Sequence, residues 1–439
     1  MQQAEECDIL VIGGGPAGST AAALLAGRGQ DVVLLEKETH PRFHIGESLL
    51  PRNLAILERL GLRAAVERMG VHKPGAEIVC DDTGRSEAFG FADSLNQDYT
   101  HAYQVRRSEF DQTLFENARA KGVRAAEGTR VTAIILAEPG IDLPEPGARA
   151  RVTAKDAKGR TRVLLPRYVL DATGRDGLIA GKLGLKEANK HNTTAAVFAH
   201  FRGVERRTGN VEGYISIHLV DDGWFWMIPL QGDVMSVGFV GDAPAFKGRR
   251  GTVAELYEER LRRCRTVAAR MHGAERISEI HSAANYSYRA RSNSGEGYMM
   301  IGDAYAFIDP MFSSGVLLAM TAGEMGAEVA AVSLDDPAAG RALARRAERR
   351  LCRAMDSLGW LIYRINTPVL RSMLMAPRNT LRMRDGLVSM LAGNLEIDRR
   401  ARLPVLAFKT VYYALSAAHR LGYRVEPQRA PLGHPVAAE

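Results

Sequence analysis

Apolar runs of strand length alternate with a helical pattern at the start of the chain, an order that predicts an α/β fold. The residues from Asp8 to Ile12 form a short apolar run that predicts a buried strand. A glycine-rich turn and an Ala/Leu-rich helical segment follow, and residues 31–36 predict a second strand that ends at the carboxylate of Glu36. Strand, turn, helix, strand and terminal acid together form a complete βαβ dinucleotide-binding fingerprint.

The turn of this fingerprint has the residue types that a bound pyrophosphate requires. Gly13 permits the tight turn, Gly15 lets the backbone approach the phosphates at the helix N-terminus, and Gly18 allows the helix to pack closely. Glu36 stands where a carboxylate binds ribose hydroxyls. The alternative is a purely structural Gly-rich turn, which the flanking strand, helix and acid disfavour. The predicted cofactor residues of this segment are Gly13, Gly15, Pro16, Ala17, Gly18, Glu36 and Lys37.

The middle and the end of the chain have different patterns. Strand-like stretches at about 129–136, 149–155, 195–203, 213–219, 225–230 and 234–241 predict a second, largely antiparallel sheet, inserted at about 80–110 and 185–295 into a first domain of residues 1–335. Residues 336–426 predict a C-terminal helical subdomain, because apolar and arginine positions alternate with helical spacing. Its apolar face comprises Leu343, Ala347, Leu351, Met355, Leu358 and Ile362. Residues 427–439 have no periodicity and predict a tail.

Composition narrows the function classes. A net charge of +7 over 439 residues is modest, so nothing indicates nucleic acid as a partner. Four cysteines, at positions 7, 80, 264 and 352, fit no metal-ligand spacing, and we expect reduced thiols, no metal site and a cytoplasmic protein. The acidic first residues are unlike a signal peptide, so the mature protein is expected to begin here. Glu324 and Glu328 interrupt the longest apolar stretch, and no membrane span is expected.

Two later segments narrow the predicted cofactor from any dinucleotide to a flavin. A predicted strand from Tyr168 ends in Asp-Ala-Thr-Gly at 171–174, and a second, at 298–301, ends in Gly-Asp at 302–303 before Pro310 and a long helix from about Ser314. In order and spacing the three segments resemble the flavoprotein monooxygenase superfamily. The resemblance implies FAD, with Asp303 on its ribityl chain and the helix N-terminus at the isoalloxazine, where a helix dipole stabilises negative charge.

A narrower resemblance lies in three further segments. Residues 224–229 read Trp-x-Trp-x-Ile-Pro, and the segments 41–51 and 103–111 are similar to the flavin-dependent halogenases, specifically to their phenol/pyrrole-type branch. Alone, the two tryptophans would be core residues on one face of a strand. The resemblance implies FAD contacts from Arg42, Ile45, Ser48, Arg107, Asp303, Pro310, Gly315 and Val316. It also implies a tunnel wall made of Trp224, Trp226, Ile228 and Pro229.

The halogenase resemblance implies a specific chemistry. Reduced FAD, supplied by a separate flavin reductase, and dioxygen would convert chloride or bromide to hypohalous acid. The halide would be held by the backbone amides of Ser314 and Gly315, which fits the general physics of anion sites at helix N-termini. Lys73 lies in a Lys-x-Gly-Ala segment that matches the one holding the essential lysine of phenol and pyrrole halogenases. A buried amine there would hydrogen-bond hypohalous acid or form a haloamine, although an ordinary lysine is a surface residue.

One departure from the family limits the substrate. Tryptophan halogenases carry a glutamate where this chain has Phe312, so the resemblance favours an arene that activates its own ring, namely a phenol or pyrrole, free or on an acyl carrier protein. Free tryptophan is not expected. Two rival classes share the flavin segments: an aromatic flavin hydroxylase, and a geranylgeranyl-reductase-like flavoprotein, whose aromatic motif ends in Phe-Pro where this chain has Ile228-Pro229. A non-catalytic flavoprotein is a third alternative.

Overall fold

The computed structural model of the chain describes residues 4–137, 143, 147–189, 194–249, 251–284, 287–394 and 399–423, so the predicted tail lies outside the described residues. Its strands are β1 Glu5–Ile12, β2 Val32–Leu35, β3 Val71–Lys73, β4 Gly75–Cys80, β5 Ser86–Gly90, β6 Ala102–Gln104, β7 Arg124–Ala126, β8 Arg130–Leu136, β9 Ala150–Lys155, β10 Thr161–Asp171, β11 Lys186–Ala188, β12 Thr194–Arg202, β13 Ile215–Val220, β14 Gly223–Leu230, β15 Val234–Asp242, β16 Glu275–Arg276, β17 His281–Ala284, β18 Tyr288–Ala290, β19 Ser294–Gly295, β20 Tyr298–Met300 and β21 Ala306–Phe307. Its helices are α1 Pro16–Ala26, α2 Arg52–Leu60, α3 Arg63–Met69, α4 Arg107–Ala120, α5 Leu178–Lys182, α6 Ala243–Lys247, α7 Val253–Arg263, α8 Arg265–Arg270, α9 Ser314–Asp335, α10 Pro337–Ile362, α11 Pro368–Met375, α12 Met383–Leu391 and α13 Arg399–Arg420.

The chain forms two compact units, each made of three separate stretches. The first unit contains residues 1–71, 102–191 and 285–357, and the second contains 72–101, 192–284 and 358–439. The division falls within α10, and α11, α12 and α13 belong to the second unit. The C-terminal helices predicted from the sequence are thus present, whereas the domain limits given above stay a prediction.

A mixed sheet with a parallel centre, β20-β10-β1-β2-β7, lies in the middle of the first unit. Its order is β19-β20-β10-β1-β2-β7, and α1 packs against both α4 and α9. The strand β2 and residues 9–12 of β1 are uninterrupted apolar runs because parallel strands are covered on both faces of the sheet. In the register, Ile12 pairs with Asp171 and Asp171 with Met300, so the carboxyl ends of these strands align at one edge. This arrangement confirms the predicted Rossmann-like α/β fold.

One assignment made from the sequence was wrong. The stretches 129–136 and 149–155 were assigned to the second sheet, but they form β8 and β9 of the first. The reason is that β10 is longer than its parallel partners, and its residues Thr161 to Leu164 pair antiparallel with β9. Alternation of apolar and polar residues predicts a strand but does not identify the sheet that it joins.

The second unit contains the predicted antiparallel sheet. Its order is β16-β12-β15-β14-β13-β4-β5, and of its strand pairs only β13 with β4 is parallel among the described residues. Every residue of the central strand β14 is buried. Phe225 and Met227 point into a core that also contains Tyr257 of α7 and Val267 of α8. The tryptophans of β14 therefore lie on the opposite face of the sheet.

Helix α9 is the one helix in the described part of the chain that has the length and apolarity of a membrane span. Its contacts are those of a core helix in the first unit. A Cβ atom at Gly323 would lie 2.5 Å from the carbonyl oxygen of Ala17, so α9 packs closely on α1. Glu324, one of the two charges that interrupt its sequence, pairs with Arg59 of α2.

Candidate functional site

The glycine turn after β1 is shaped for a ligand rather than for side chains. Gly13 has φ of +108°, and a Cβ there would lie 2.3 Å from the carbonyl oxygen of Ala172. A Cβ at Gly18 would lie 1.9 Å from the carbonyl oxygen of Gly13. Over Gly15, in contrast, a Cβ would meet only the Arg42 guanidinium, at 3.7 Å. The turn therefore leaves open space at the N-terminus of α1, which is the usual place for a pyrophosphate.

Glu36 is buried and oriented by the backbone. Its Oε2 accepts a hydrogen bond of 2.7 Å from the amide of Gly14, and its Oε1 accepts one of 2.9 Å from the amide of Glu38. These bonds hold a carboxylate beside the glycine turn, as the fingerprint predicts for a ribose ligand. Lys37 instead forms an exposed ion pair of 2.6 Å with Asp176.

Arg42 and Arg107 are held by an acid that the sequence analysis missed. Asp111 is completely buried; Arg107 Nε lies 2.7 Å from its Oδ1, and Arg42 Nη1 lies 3.5 Å from its Oδ2. Burial alone would raise the pKa of Asp111, but Arg107 and Arg42 outweigh burial and lower it. The spacing of Arg107 and Asp111, one helical turn apart, was a visible signal for this pair.

The segment around Ile45 lies against the first turn of α9. Arg107 Nη1 donates a 2.6 Å hydrogen bond to the carbonyl of Ile45. Gly46, with φ of +108°, would place a Cβ 2.9 Å from Arg107 Nη1 and 3.7 Å from Val316. The structure therefore brings together Ile45, Arg107 and Val316, three of the FAD contacts that the resemblance implied.

Two buried hydroxyls in this region have no hydrogen-bond partner among the described residues. They belong to Ser48, two residues after Gly46, and to Ser314, the first residue of α9. Buried polar groups are normally paired, so each hydroxyl is available to a ligand. Ser313, just before α9, has φ of +58°. Pro310 begins the short turn Pro310–Phe312 that leads into this helix.

Asp303 follows Gly302, which packs against the start of α1. The Gly302 beside it, with φ of +59°, would place a Cβ 2.9 Å from the side chain of Ala17. The Asp303 carbonyl accepts a 2.5 Å hydrogen bond from the Tyr288 hydroxyl. Burial raises the pKa of the Asp303 carboxyl to about 6, against the opposing effect of Arg107. The carboxylate oxygens of Asp303 can accept hydrogen bonds from the hydroxyls of a ribityl chain.

Taken together, these residues fit FAD. The cradle at Gly13 and Gly15, the oriented carboxylate of Glu36 and the orphan hydroxyl of Ser48 lie in one unit, as does Asp303. The acid of the second flavin segment, Asp171, has a structural role instead, because it accepts hydrogen bonds from Thr173 and from the amide of Ile179. His, Cys, Asp and Glu side chains form no group of three suited to a metal ion within the described ranges.

Lys73 is buried in the second unit. It is the last residue of β3, its exposure is 1%, and its Nζ lies 5.2 Å from the centre of the Phe91 ring. Burial lowers the pKa of its amine from 10.5 to about 7. A Cβ at Gly213 would lie 2.0 Å from the carbonyl oxygen of His72, so the chain packs tightly beside the lysine. The expectation of a buried amine at this position agrees with the structure; its catalytic role stays a prediction.

Trp224 and Trp226 form an aromatic face on β14. Their ring centres are 5.9 Å apart, and Trp226 Nε1 donates a 3.1 Å hydrogen bond to Ser236 Oγ. The Trp226 ring covers Gly238, where a Cβ would lie 2.1 Å from a ring carbon. Ile228 and Pro229 are buried as well. This geometry is compatible with both a tunnel wall and an ordinary core, so the wall stays a prediction.

Comparisons with known sequences agree with the flavin site. The FAD binding domain family matches residues 6–356. The chain is 38% identical to a tryptophan 2-halogenase of Chondromyces crocatus, covering 73% of this chain and 60% of that one. It is 32% identical to the flavin-dependent halogenase rdc2 of Metacordyceps chlamydosporia, and the match covers 81% of this chain and 70% of that one. It is 29% identical to a 1H-pyrrole-2-carbonyl-[peptidyl-carrier protein] chlorinase of Pseudomonas fluorescens, and the match covers 72% of this chain and 74% of that one. The chain thus spans between 60% and 74% of the length of these relatives.

Solved structures have the same architecture. A flavoprotein/dehydrogenase from Cytophaga hutchinsonii superposes with a TM-score of 0.84 at 28% identity, covering 94% of this chain and 100% of that one. The flavin-dependent brominase Bmp2 superposes with a TM-score of 0.80 at 25% identity and the same coverage. From the matched FAD binding domain, the halogenase relatives and the cradle described above, we conclude that the chain belongs to the flavin-dependent halogenases, a family of FAD-dependent oxidoreductases.

Proposed function

We propose that the chain is a halogenase that installs chloride or bromide on an electron-rich arene of the phenol or pyrrole type through hypohalous acid relayed to Lys73. The observation that carries this proposal is the burial of Lys73, which lowers the pKa of its amine to about 7 within the segment that resembles the halogenase lysine. Burying the ammonium of a lysine is costly, and a purely structural role at this position would not require it.

FAD, when bound and reduced, supplies two electrons to dioxygen; the halide supplies two more, so that one oxygen leaves as water and the other forms hypohalous acid. The chain's own residues hold and orient the cofactor. The amides at the start of α1 bind its pyrophosphate, and Glu36 accepts hydrogen bonds from its ribose. Asp111 fixes Arg42 and Arg107, and Arg107 in turn holds Ile45 against the flavin site.

The halide is proposed to bind at the first turn of α9. The amides of Ser314 and Gly315 lie at the positive end of a helix of 22 residues, where anions are favoured. The unpartnered, fully buried hydroxyl of Ser314 supports a ligand at this point.

Lys73 then directs the oxidised halogen. As an ammonium, it donates a hydrogen bond to hypohalous acid and polarises the halogen toward the arene. As a neutral amine, it forms a haloamine and releases water, and the arene afterwards takes the halogen and returns a proton to the amine. Because the pKa is about 7, both forms of Lys73 are populated at neutral pH, and both routes are available.

The substrate class is inferred from one residue and from the names of two relatives. Phe312 occupies the position of the glutamate of tryptophan halogenases, which favours phenols and pyrroles. A relative named for a carrier-bound pyrrole supports a carrier-bound substrate, whereas the relative named tryptophan 2-halogenase makes an indole the second candidate. A separate flavin reductase is proposed as a partner because the chain contains one nucleotide fingerprint.

Turnover tests the proposal directly. The chain is incubated with a flavin reductase, FAD, NADH, chloride or bromide, and a panel of a phenol, a carrier-bound pyrrole and an indole, and products are measured by mass spectrometry. We expect Lys73→Met to lose the halogenated product while FAD binding and hydrogen peroxide release persist, because methionine can neither donate a hydrogen bond to hypohalous acid nor form a haloamine. Lys73→Arg keeps a donor but cannot form a haloamine, so loss of product in this variant identifies the haloamine route. The control Lys247→Met, at an exposed lysine of the same unit, should keep the product.

Two outcomes contradict the proposal. Wild-type halogenation by both Lys73 variants would remove this lysine from the mechanism. A hydroxylated product formed with NADPH alone, without a reductase or a halide, would identify an aromatic hydroxylase instead.

A further inference from the structure

A second cavity lies in the first unit, at the amino end of β20. Its volume is about 280 Å³, and it is lined by the β19–β20 turn, the end of α9 and the first turns of α10. The FAD cradle lies at the carboxyl ends of the same parallel strands, beyond Asp171 and Met300. Since the two sites occupy opposite ends of these strands, the cavity is separate from the flavin site.

Four arginines line this cavity, and two of them are already neutralised. Arg149 Nη1 lies 3.2 Å from Glu296 Oε1. Arg167 pairs with Asp8 at 3.0 Å and donates a 2.9 Å hydrogen bond to the carbonyl of Leu334. These bonds hold the two arginines in place at the rim of the cavity.

The other two arginines are not neutralised. Arg341 and Arg345 lie one turn apart on α10, and among the described residues neither guanidinium has an ion-pair or hydrogen-bond partner. The remaining acid of the lining, Glu348, accepts hydrogen bonds of 3.0 Å from the amide of Asn293 and 3.3 Å from the Tyr305 hydroxyl. Both side chains are exposed, and like charges four residues apart on a helix repel each other weakly; an anion bound between the two guanidinium groups would relieve that repulsion.

The rest of the lining has the chemistry of a phosphate site. The hydroxyl-bearing Ser294 faces the same cavity as the arginines. Gly297, with φ of +71°, would place a Cβ 2.5 Å from the Arg149 Cβ, so the turn packs closely against Arg149. Guanidinium groups match phosphate oxygens with paired, charge-assisted hydrogen bonds.

We infer that this cavity binds a phosphate-bearing anion through Arg341 and Arg345. Its volume lies just below the usual range for small-molecule sites, so it suits a pyrophosphate or the terminal phosphates of a nucleotide rather than a whole dinucleotide. Such a ligand is additional to FAD, the halide and the arene. The inference does not depend on halogenase activity.

Calorimetric titration of pyrophosphate tests the inference. The protein is loaded with one equivalent of FAD, so that the N-terminus of α1 is already filled, and is kept near physiological ionic strength, where charges outside the site are screened. We expect one saturable site, and we expect Arg341→Gln combined with Arg345→Gln to weaken binding by about tenfold or more, since two charge-assisted contacts are lost. The control is Arg346→Gln combined with Arg349→Gln, which removes the same charge from exposed positions of the same helix outside the cavity lining. It should leave the affinity within about twofold, as expected for screened surface charges that do not contact the ligand.

Parallel titrations with ADP and AMP identify the source of the phosphate. Tighter binding of ADP than of pyrophosphate indicates a nucleotide ligand, and equal affinity indicates free phosphate compounds. The inference is overturned if the wild-type protein shows no saturable binding, or if the control pair weakens binding as much as the cavity pair does. Neither result would affect the halogenation assay.

Discussion

Replacing Lys73 with methionine is expected to stabilise the protein at neutral pH and to have little effect at alkaline pH. Methionine has a similar length and no charge, so it removes the cost of burying an ammonium. In the unfolded chain the amine keeps its ordinary pKa of 10.5, and in the folded protein its pKa is about 7. Between these two values the unfolded state binds more protons, and the stability of the wild-type protein therefore rises as the pH rises.

The magnitude follows from the two pKa values. The difference between 10.5 and about 7 corresponds to at most about 5 kcal/mol of destabilisation below pH 7. Relaxation around the buried charge and its position over the Phe91 ring reduce this cost. A gain of about 2 kcal/mol for Lys73→Met at neutral pH would still exceed the error of denaturant unfolding.

Urea unfolding of wild type and variant near pH 6.5 and near pH 10 measures this effect. Tryptophan fluorescence suits the experiment because all three tryptophans, at positions 224, 226 and 360, lie in the same unit as Lys73. The control Lys247→Met replaces an exposed lysine of that unit and should shift stability equally at both pH values. If Lys73→Met also shifted stability equally at both, the amine would keep an ordinary pKa in the folded protein, and the haloamine route would lose its physical basis.

Three further predictions concern the flavin and the aromatic face. Glu36→Gln should weaken FAD binding by about tenfold in a fluorescence titration, because an amide is a poorer acceptor for ribose hydroxyls than a carboxylate; unchanged affinity would separate Glu36 from the ribose. NADPH alone should reduce bound FAD slowly in stopped flow, and rapid bleaching would favour a hydroxylase. Replacing Trp224 and Trp226 with alanine should cost about 3 kcal/mol for each side chain. In the folded double variant the ratio of halogenated product to released peroxide should fall, and a constant ratio would leave both residues as ordinary core.

The resemblance located the lysine, but only the tertiary structure showed its environment. Nothing in the three residues of β3 predicts burial, and a lone lysine is ordinarily exposed. The burial depends on Phe91 and on the loop at Gly213, which are distant in sequence. The same holds for Asp111, which holds Arg42 and Arg107 although the two arginines lie 65 positions apart in the chain.

The sequence by itself determined the fingerprint and its cofactor class, because a glycine turn between a strand and a helix is specified by local backbone sterics. Gly13 and Gly18 are required by atoms of the turn and of the adjoining strand. Tertiary structure alone decided which sheet β8 and β9 join and that Asp111 pairs with both Arg42 and Arg107. It also decided that Arg341 and Arg345 line a cavity, where neither forms an ion pair with an acid among the described residues. The pairing of β10 with β1, the contact of Arg42 with Asp111 and the lining of the cavity all join segments far apart in the chain, and such contacts leave no periodic signal in a single sequence.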